Sequence, residues 1–322
     1  MRNHTFRVIG MGDIVTDLVV SIEKFPVEPT IHQRIEKLDV QPGGMGNFMI
    51  AGTRIGMEMI PLDVMGGDQY SAATLAAFAA EGIDTSRIEL LENCSSKVIL
   101  VLANPDGQHV FLFYLGGKYP QQTLKETWKK ALAQSDALLA VGYTLSEAHM
   151  QGVTLEAMAY LKRQGGPVFF DPGPMTMNIP EDEFNQALQS SDVLLLTEDE
   201  LKSIAGDARP QDARQLLVMG PRLICIKRGA LGCQLVDEKQ TLTCPGYVVK
   251  VRDTNGAGDS FSAAFIYGYL NRWSLEEIGN FANAMGAAKV QKLGAGRNVP
   301  TLEEIKGVLS SGVRITLPGD VR

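Results

Sequence analysis

The stretch KVRDTNGAGDSFSAAF, Lys250 to Phe265, sets two glycines, Gly256 and Gly258, directly ahead of an acid, Asp259, and of a helical run. Phe261, Ala264, Phe265, Gly268 and Tyr269 recur at the spacing of one helix face. Glycine admits positive φ and removes the Cβ that would hold a ligand off the backbone. The first turn of a helix offers unpaired amides and a partial positive charge, which suit a phosphate. The amides of Ala257, Gly258 and Asp259 are therefore expected to converge on one oxyanion, with the Asp259 carboxylate beside whatever attacks it. The plainer reading is a capped helix whose dipole Asp259 complements.

Outward from this stretch, short apolar runs recur: FRVIG (6–10), ALLAV (137–141), VFFD (168–171), VLLLT (193–197) and LICIK (223–227). Strands that lack polar alternation are buried on both faces, as in a parallel sheet. Helical patterns separate them, one through Leu155, Met158, Ala159 and Lys162, another through Ile278, Phe281, Ala282 and Met285. Ser274 with Glu277 and Thr301 with Glu304 have the capping-box spacing. The alternation predicts an α/β fold with a doubly wound, mostly parallel sheet in one domain spanning 1–322. Two segments break the rhythm. Residues 97–114 form a hairpin pattern around a Pro-Asp-Gly turn, and 18–40 read as strands and turns. Together they predict a small β-sheet lid.

Hydrophobic residues make up 45% of the chain, enough for a full core, and the formal net charge of -7 disfavours nucleic acid and acidic membranes as partners. Cys94, Cys225, Cys233 and Cys244 lack CxxC spacing and read as reduced thiols of a cytoplasmic protein. The start of the sequence has no signal-peptide pattern, and no 18 apolar residues run together. His4, His32, His109 and His149 lack metal-ligand spacing, and GPMTMNIP (173–180) reads as core or loop filling. Gly10 and Gly12 suggest a dinucleotide fingerprint, but its third glycine would fall at Val15, so nicotinamide binding is rejected. GGKY (116–119) lacks the hydroxyl of a P-loop.

The segment DTNGAGDSF resembles the signature of ribokinase-like (PfkB-type) carbohydrate kinases, and the resemblance runs the length of the chain. VIGMGDIVTDLVV is similar to that family's opening strand, whose acid binds sugar hydroxyls; the matching residue is Asp17. PGGMGNFMIAGTRIG matches its first glycine signature through Gly43, Gly44 and Asn47, with one residue fewer between the glycines and the asparagine. VMGGDQYSAATLAAFAAEGID, VFFDPGP and IKRGALG follow in the family's order. The resemblance implies an ATP-dependent kinase acting on a hydroxyl, a primary one by preference, of a small carbohydrate. Asp259 would be the general base and the Gly256–Gly258 turn the anion hole, with Asp17, Gly43, Gly44 and Asn47 orienting the substrate. Lys227, Gly229, Gly232, Thr254 and Asn283 would border the nucleotide. Glu200, in LLLTEDELKSIAG, would order water around Mg²⁺, with Thr197 where the family has asparagine. Thr197 and Glu200 also fit a capping box. Asp253 and GAGRN (294–298) match where relatives bind a monovalent cation through carbonyls, K⁺ being the candidate.

Two other functions fit the same residues. Val15, apolar and two residues before Asp17, suits a flatter nucleoside acceptor, and a non-catalytic ligand sensor would need no Asp259. Leu115 stands where some keto-acid sugar kinases have arginine, which weighs against an acidic sugar. The lid's exposed edge, and the habit of relatives, point to a homodimer through the lid.

Overall fold

The computed structural model describes residues 4–106, 108–174 and 176–315; Gly107 of the hairpin turn and Met175 of the Met-rich loop lie outside the described residues. Thirteen strands form among the described residues: β1 (Arg7–Met11), β2 (Ile14–Ser21), β3 (Lys37–Gly44), β4 (Glu58–Gly66), β5 (Ile88–Leu91), β6 (Val98–Ala103), β7 (His109–Tyr114), β8 (Ala137–Val141), β9 (Val168–Asp171), β10 (Val193–Thr197), β11 (Leu223–Lys227), β12 (Cys233–Val236) and β13 (Thr241–Cys244). Nine of them make one sheet in the order β13-β12-β11-β10-β9-β8-β1-β4-β5. It is parallel from β5 to β11, and β12 and β13 run antiparallel at one edge.

Four of the apolar runs, at 137–141, 168–171, 193–197 and 223–227, are strands end to end. Their lack of alternation has a direct cause: consecutive residues point to opposite faces, and both faces are covered by helices. Phe169 packs in one hydrophobic layer with the helices Met45–Arg54, Ala257–Leu270 and Leu275–Lys289. Its neighbour Phe170 packs in the other, with the helices Ala148–Arg163 and Glu181–Ser190. In the first of those two helices the buried stripe is Met150, Val153, Thr154, Ala157, Met158 and Leu161, which corrects the expected face through Leu155, Ala159 and Lys162. Those three residues sit on the helix flank, where an apolar side chain can be half-buried and still satisfy a helical period.

The second sheet has four strands in the order β3-β2-β6-β7, with β2 parallel to β6 and the other pairs antiparallel. This is the expected lid, with one correction to its bounds. VIGMGDIVTDLVV is not one strand. It breaks at Gly12 and Asp13, both at positive φ (73° and 55°), and the second half leaves the main sheet to become β2. The lid strands therefore reach back to Ile14 and forward to Gly44, so that Asp17, Gly43 and Gly44 belong to the lid itself.

Phe169 has no exposed surface and meets Tyr269 edge-on, with ring centroids 5.1 Å apart. Phe169→Ala should lower stability by about 3–5 kcal/mol, read from the denaturant midpoint. A loss no larger than that of an exposed-site substitution would contradict the two-layer packing.

Candidate active site

The main sheet changes winding direction at β1. From there the chain runs outward through β4 and β5 on one side, and through β8, β9, β10 and β11 on the other. The crevice beyond the carboxyl ends of strands at such a point is where open α/β sheets take ligands. Those ends carry Asp13 after β1, Asp171 on β9, Thr197 on β10 and Lys227 on β11.

Above this edge lies the glycine turn. Gly256 (φ 72°) is the N-cap of the helix Ala257–Leu270, a backbone angle that leaves little room for a Cβ. The amide of Ala257 donates to the Thr254 carbonyl at 3.2 Å, so it closes the turn and does not join the anion hole as expected. Among the described residues the amides of Gly258 and Asp259 have no protein acceptor, which leaves two of the three expected donors open. The Lys227 ammonium stands beside it, 4.0 Å from where a Cβ on Gly258 would lie. Lys227 Nζ donates to Asp171 Oδ2 at 2.7 Å, and Ser262 Oγ donates to the same oxygen at 3.4 Å. Burial alone would lower the Lys227 ammonium, but Asp171 and Glu200 outweigh it and hold it well above its usual range.

Asp259 is held by a residue from across the fold. Asn47, buried near the start of the helix Met45–Arg54, donates from Nδ2 to Asp259 Oδ2 at 2.9 Å. Its Oδ1 accepts the Gly296 amide at 2.7 Å. Each end of the amide thus has one protein partner, and the second Nδ2 hydrogen stays available for the substrate contact expected of Asn47. Burial pushes the Asp259 carboxyl up to about 6, against the Asn47 hydrogen bond and the charges of Lys227 and Lys289, while Asp171 adds to the rise.

Asp17 faces the same space from β2. A Cβ on Gly43 would lie 2.0 Å from Asp17 Oδ1, so only glycine fits opposite this carboxylate. Gly44, at φ 53°, has the Asp13 carbonyl 2.4 Å from its ideal Cβ, and Met45 donates its amide to that carbonyl at 3.0 Å. Burial raises Asp17 to about 7; the Asn255 amide pulls it down, and the Asp259 charge adds to the rise. Gly43 thus lies against Asp17, and Asp17 lies close enough to Asp259 to feel its charge.

On the other side of the turn lies a cleft of about 430 Å³, lined by Lys227, Gly229, Gly232, Thr254 and Asn283, the five residues expected beside a nucleotide. Its walls are apolar, with Tyr247, Phe261 and Val290 among them. Asn283 faces the cleft but spends its Nδ2 on the carbonyls of Cys244 and Pro245, at 2.8 and 3.3 Å. That bond fixes the wall and leaves the amide oxygen as its free end.

Thr197 and Glu200 form the capping box of the helix Glu198–Ala205, with Glu200 Oε2 accepting the Thr197 amide at 2.7 Å. Burial raises Glu200, Lys227 lowers it and Asp171 raises it further. Among the described residues no three acids, histidines or cysteines gather as a ready metal site. Asp171 and Glu200 still suit a Mg²⁺ that keeps most of its waters and is shared with phosphates. Asp253 accepts the amides of Asn255 and Gly294 on its two oxygens, at 2.8 and 2.7 Å, and so ties two loops together. Lys289, which nothing in the sequence pattern marks out, ends a helix beneath those loops with no exposed surface. Burial pushes its ammonium down to about 8, against the pull of Asp253 and Asp259.

The hinge where the chain leaves the main sheet for the lid holds a buried charge cluster that sequence reading missed. Lys97 Nζ lies 2.5 Å from Glu147 and 3.6 Å from Asp13, and its side chain is 5% exposed. Asp63 accepts the amides of Ile14 and Val64, both at 2.7 Å. Burial raises Asp13 to about 7 and Asp63 to about 6, with Lys97 opposing both. Because these values lie above the ordinary 3.8, the folded chain binds more protons than the unfolded one between the two. Their contribution to stability therefore fades as pH rises towards 7. Lys97→Met leaves three carboxylates without their counter-charge and should cost about 3–5 kcal/mol. The loss should be larger at pH 8 than at pH 5.5, where Asp13 and Asp63 take up protons. Equal losses in urea unfolding at both pH values would contradict this reading.

The sequence pattern of the pfkB family carbohydrate kinases matches residues 6–302. A ribokinase from Haemophilus influenzae is 27% identical over 304 residues, which cover 91% of this chain and 95% of its own. A nucleoside kinase from Methanothermobacter thermautotrophicus is 22% identical over 298 residues, covering 92% and 93%. Among solved structures, Arabidopsis thaliana ribokinase, complexed with ribose and ATP, superposes with a TM-score of 0.82 at 22% identity, over 95% of this chain and 99% of its own. The fold is shared with that structure, the separate small sheet included.

Proposed function

The chain belongs to the pfkB family of carbohydrate kinases, and on that premise we propose that it transfers the γ-phosphoryl group of ATP to a hydroxyl, a primary one by preference, of a small carbohydrate. The observation that carries the reading is the position of Asp259. Its carboxylate, fixed by Asn47, directly follows Gly258, which lines an apolar cleft of about 430 Å³, and its charge reaches Asp17 on the lid strand β2.

In this scheme the acceptor hydroxyl gives its proton to Asp259 as its oxygen bonds to the γ-phosphorus. The bond from that phosphorus to the β–γ bridging oxygen breaks, and ADP leaves with the electron pair. The amides of Gly258 and Asp259, with the Lys227 ammonium, face the negative charge spread over the transferring group. Asp17 accepts hydrogen bonds from substrate hydroxyls, and Gly43 lets them approach the backbone. Glu200 and Asp171 would hold a Mg²⁺ through its waters, and the ion would supply positive charge against the phosphates. The lid, turning at Gly12–Asp13, would exclude water that otherwise competes as acceptor.

A nucleoside acceptor is the second reading. The Methanothermobacter relative is a nucleoside kinase matched over nearly its whole length, and Val15 puts an apolar side chain on the same strand face as Asp17. An ADP-coupled assay over pentoses, hexoses, adenosine, inosine and cytidine separates the two, and ATP consumption with none of them would overturn the kinase reading. With the preferred acceptor, Asp259→Asn should cut kcat by about 10²–10⁴ and leave ATP affinity in place. A base works ionised, so kcat/KM should fall as pH drops below the value of about 6 to which Asp259 is raised. Asn47→Leu removes a hydrogen bond that lowers that value and should move the acid limb to higher pH. High activity in Asp259→Asn would refute the base assignment.

The lid carries exposed apolar residues, Val110 at 41%, Leu112 at 52%, Phe113 at 58% and Tyr114 at 54%, along the edge strand β7. We propose that a second copy covers them. Light scattering should give twice the 35.0 kDa of one chain, and a monomer at micromolar concentration would contradict the proposal.

A further inference from the structure

Lys289 has no part in the transfer scheme, yet its ammonium is wholly buried beneath the two loops that shape the anion-binding turn. An isolated ammonium is among the most costly groups to bury, and folded chains keep one only where negative or dipolar groups compensate it. Among the described residues no carboxylate lies within ion-pair distance of it, and Nζ donates to the Lys292 carbonyl at 3.5 Å. The charges of Asp253 and Asp259 both reach it.

Oxygens of the loops above it are already engaged. Asp253 accepts two amides, at 2.8 and 2.7 Å, one from its own loop and one from Gly294. The Val290 carbonyl accepts the amides of Arg252 and Asp253, at 2.7 and 3.2 Å. The Lys289 carbonyl accepts the Lys292 amide at 3.0 Å, and the Lys292 carbonyl faces the ammonium. Asp253 and Gly294 belong to the two segments to which the family resemblance assigns a monovalent cation, and the Lys289, Val290 and Lys292 carbonyls lie on the stretch that joins them. Here a positive charge is already built in. An inorganic cation would have to share these oxygens and sit against an ammonium, so the site does not fit K⁺.

We infer that Lys289 is a tethered cation that takes the place of a monovalent metal ion. Its charge holds the 252–259 turn against the loop after residue 289 and biases the Gly258 and Asp259 amides towards an anion, so phosphoryl transfer runs without K⁺. The inference rests on the phosphotransferase reading for its consequence, and on the buried ammonium for its geometry. A lysine that only complements the end of its helix dipole would give no cation response in any variant.

The test uses the full chain in chloride salts of K⁺, Na⁺ and tetramethylammonium at equal ionic strength. Initial rate, ATP affinity by calorimetry and melting temperature should be the same for the wild type in all three. Lys289→Met, uncharged and of similar length, should lose kcat by about 10²–10³, the size expected when one charge-stabilising group of a transition state is removed. Lys289→Ala opens space beside the same oxygens, and K⁺ or ammonium, but not tetramethylammonium, should restore its rate and raise its melting temperature. Saturable activation of the wild type by K⁺ would overturn the inference, as would Lys289→Met with full kcat. If Lys289→Ala does not fold, the wild-type salt series still decides. ATP that binds in no salt would count against the phosphotransferase reading instead, and the melting series, which needs no acceptor, would still judge Lys289.

Discussion

The site depends on one buried amide. Asn47 reaches from the start of a helix near the N-terminal half to Asp259 with its nitrogen and to Gly296 with its oxygen, at 2.9 and 2.7 Å. Three loops distant in sequence are thereby fixed to one another: the lid's return at Gly43–Gly44, the glycine turn, and the loop through 294–298. A catalytic carboxylate is useful only if its orientation is set before the substrate arrives, and a hydrogen bond from a side chain with no freedom of its own provides that. The same bond favours the ionised form of a carboxyl that burial pushes the other way.

Around that amide the electrostatics divide into three groups. Asp171, Lys227 and Glu200 sit at the carboxyl ends of neighbouring strands and supply one cation between two acids where phosphates would lie. Asp13, Asp63, Glu147 and Lys97 hold the hinge to the lid. Lys289 lies beneath the turn. Burial works against charge throughout, and it raises Asp13 to about 7 and Asp63 and Asp259 to about 6, close to neutrality, as groups at sites of proton transfer tend to be.

The fold was legible because its strands are short, apolar and buried on both faces; ALLAV, VFFD, VLLLT and LICIK carry no competing signal. The lid was legible as a break in that rhythm, though not its true start, because Ile14, Val15, Leu18, Val19 and Val20 continue the β pattern of Arg7–Met11 and only the positive φ of Gly12 and Asp13 turns the chain away. The glycine turn and its acid were legible because glycine and a helix start have fixed conformational meaning. The commitment of the Ala257 amide to Thr254 was not, since it depends on how tightly the turn closes. The hinge cluster joins residues up to 134 positions apart, Asp13 to Glu147, with no shared period. Lys289 hides in an alanine-rich helix, where a lysine near the end ordinarily reads as a solvated cap.

In the proposed site the unpaired main-chain amides of Gly258 and Asp259 receive a nucleotide's terminal phosphate, with the Asp259 carboxylate in contact. A crystal structure with ADP, Mg²⁺ and a planar metal fluoride tests it most directly. The fluoride group should sit on those two amides, with Asp259 Oδ turned to the acceptor side. A fluoride group bound elsewhere, or a nucleotide outside the cleft bounded by Tyr247 and Asn283, would contradict it.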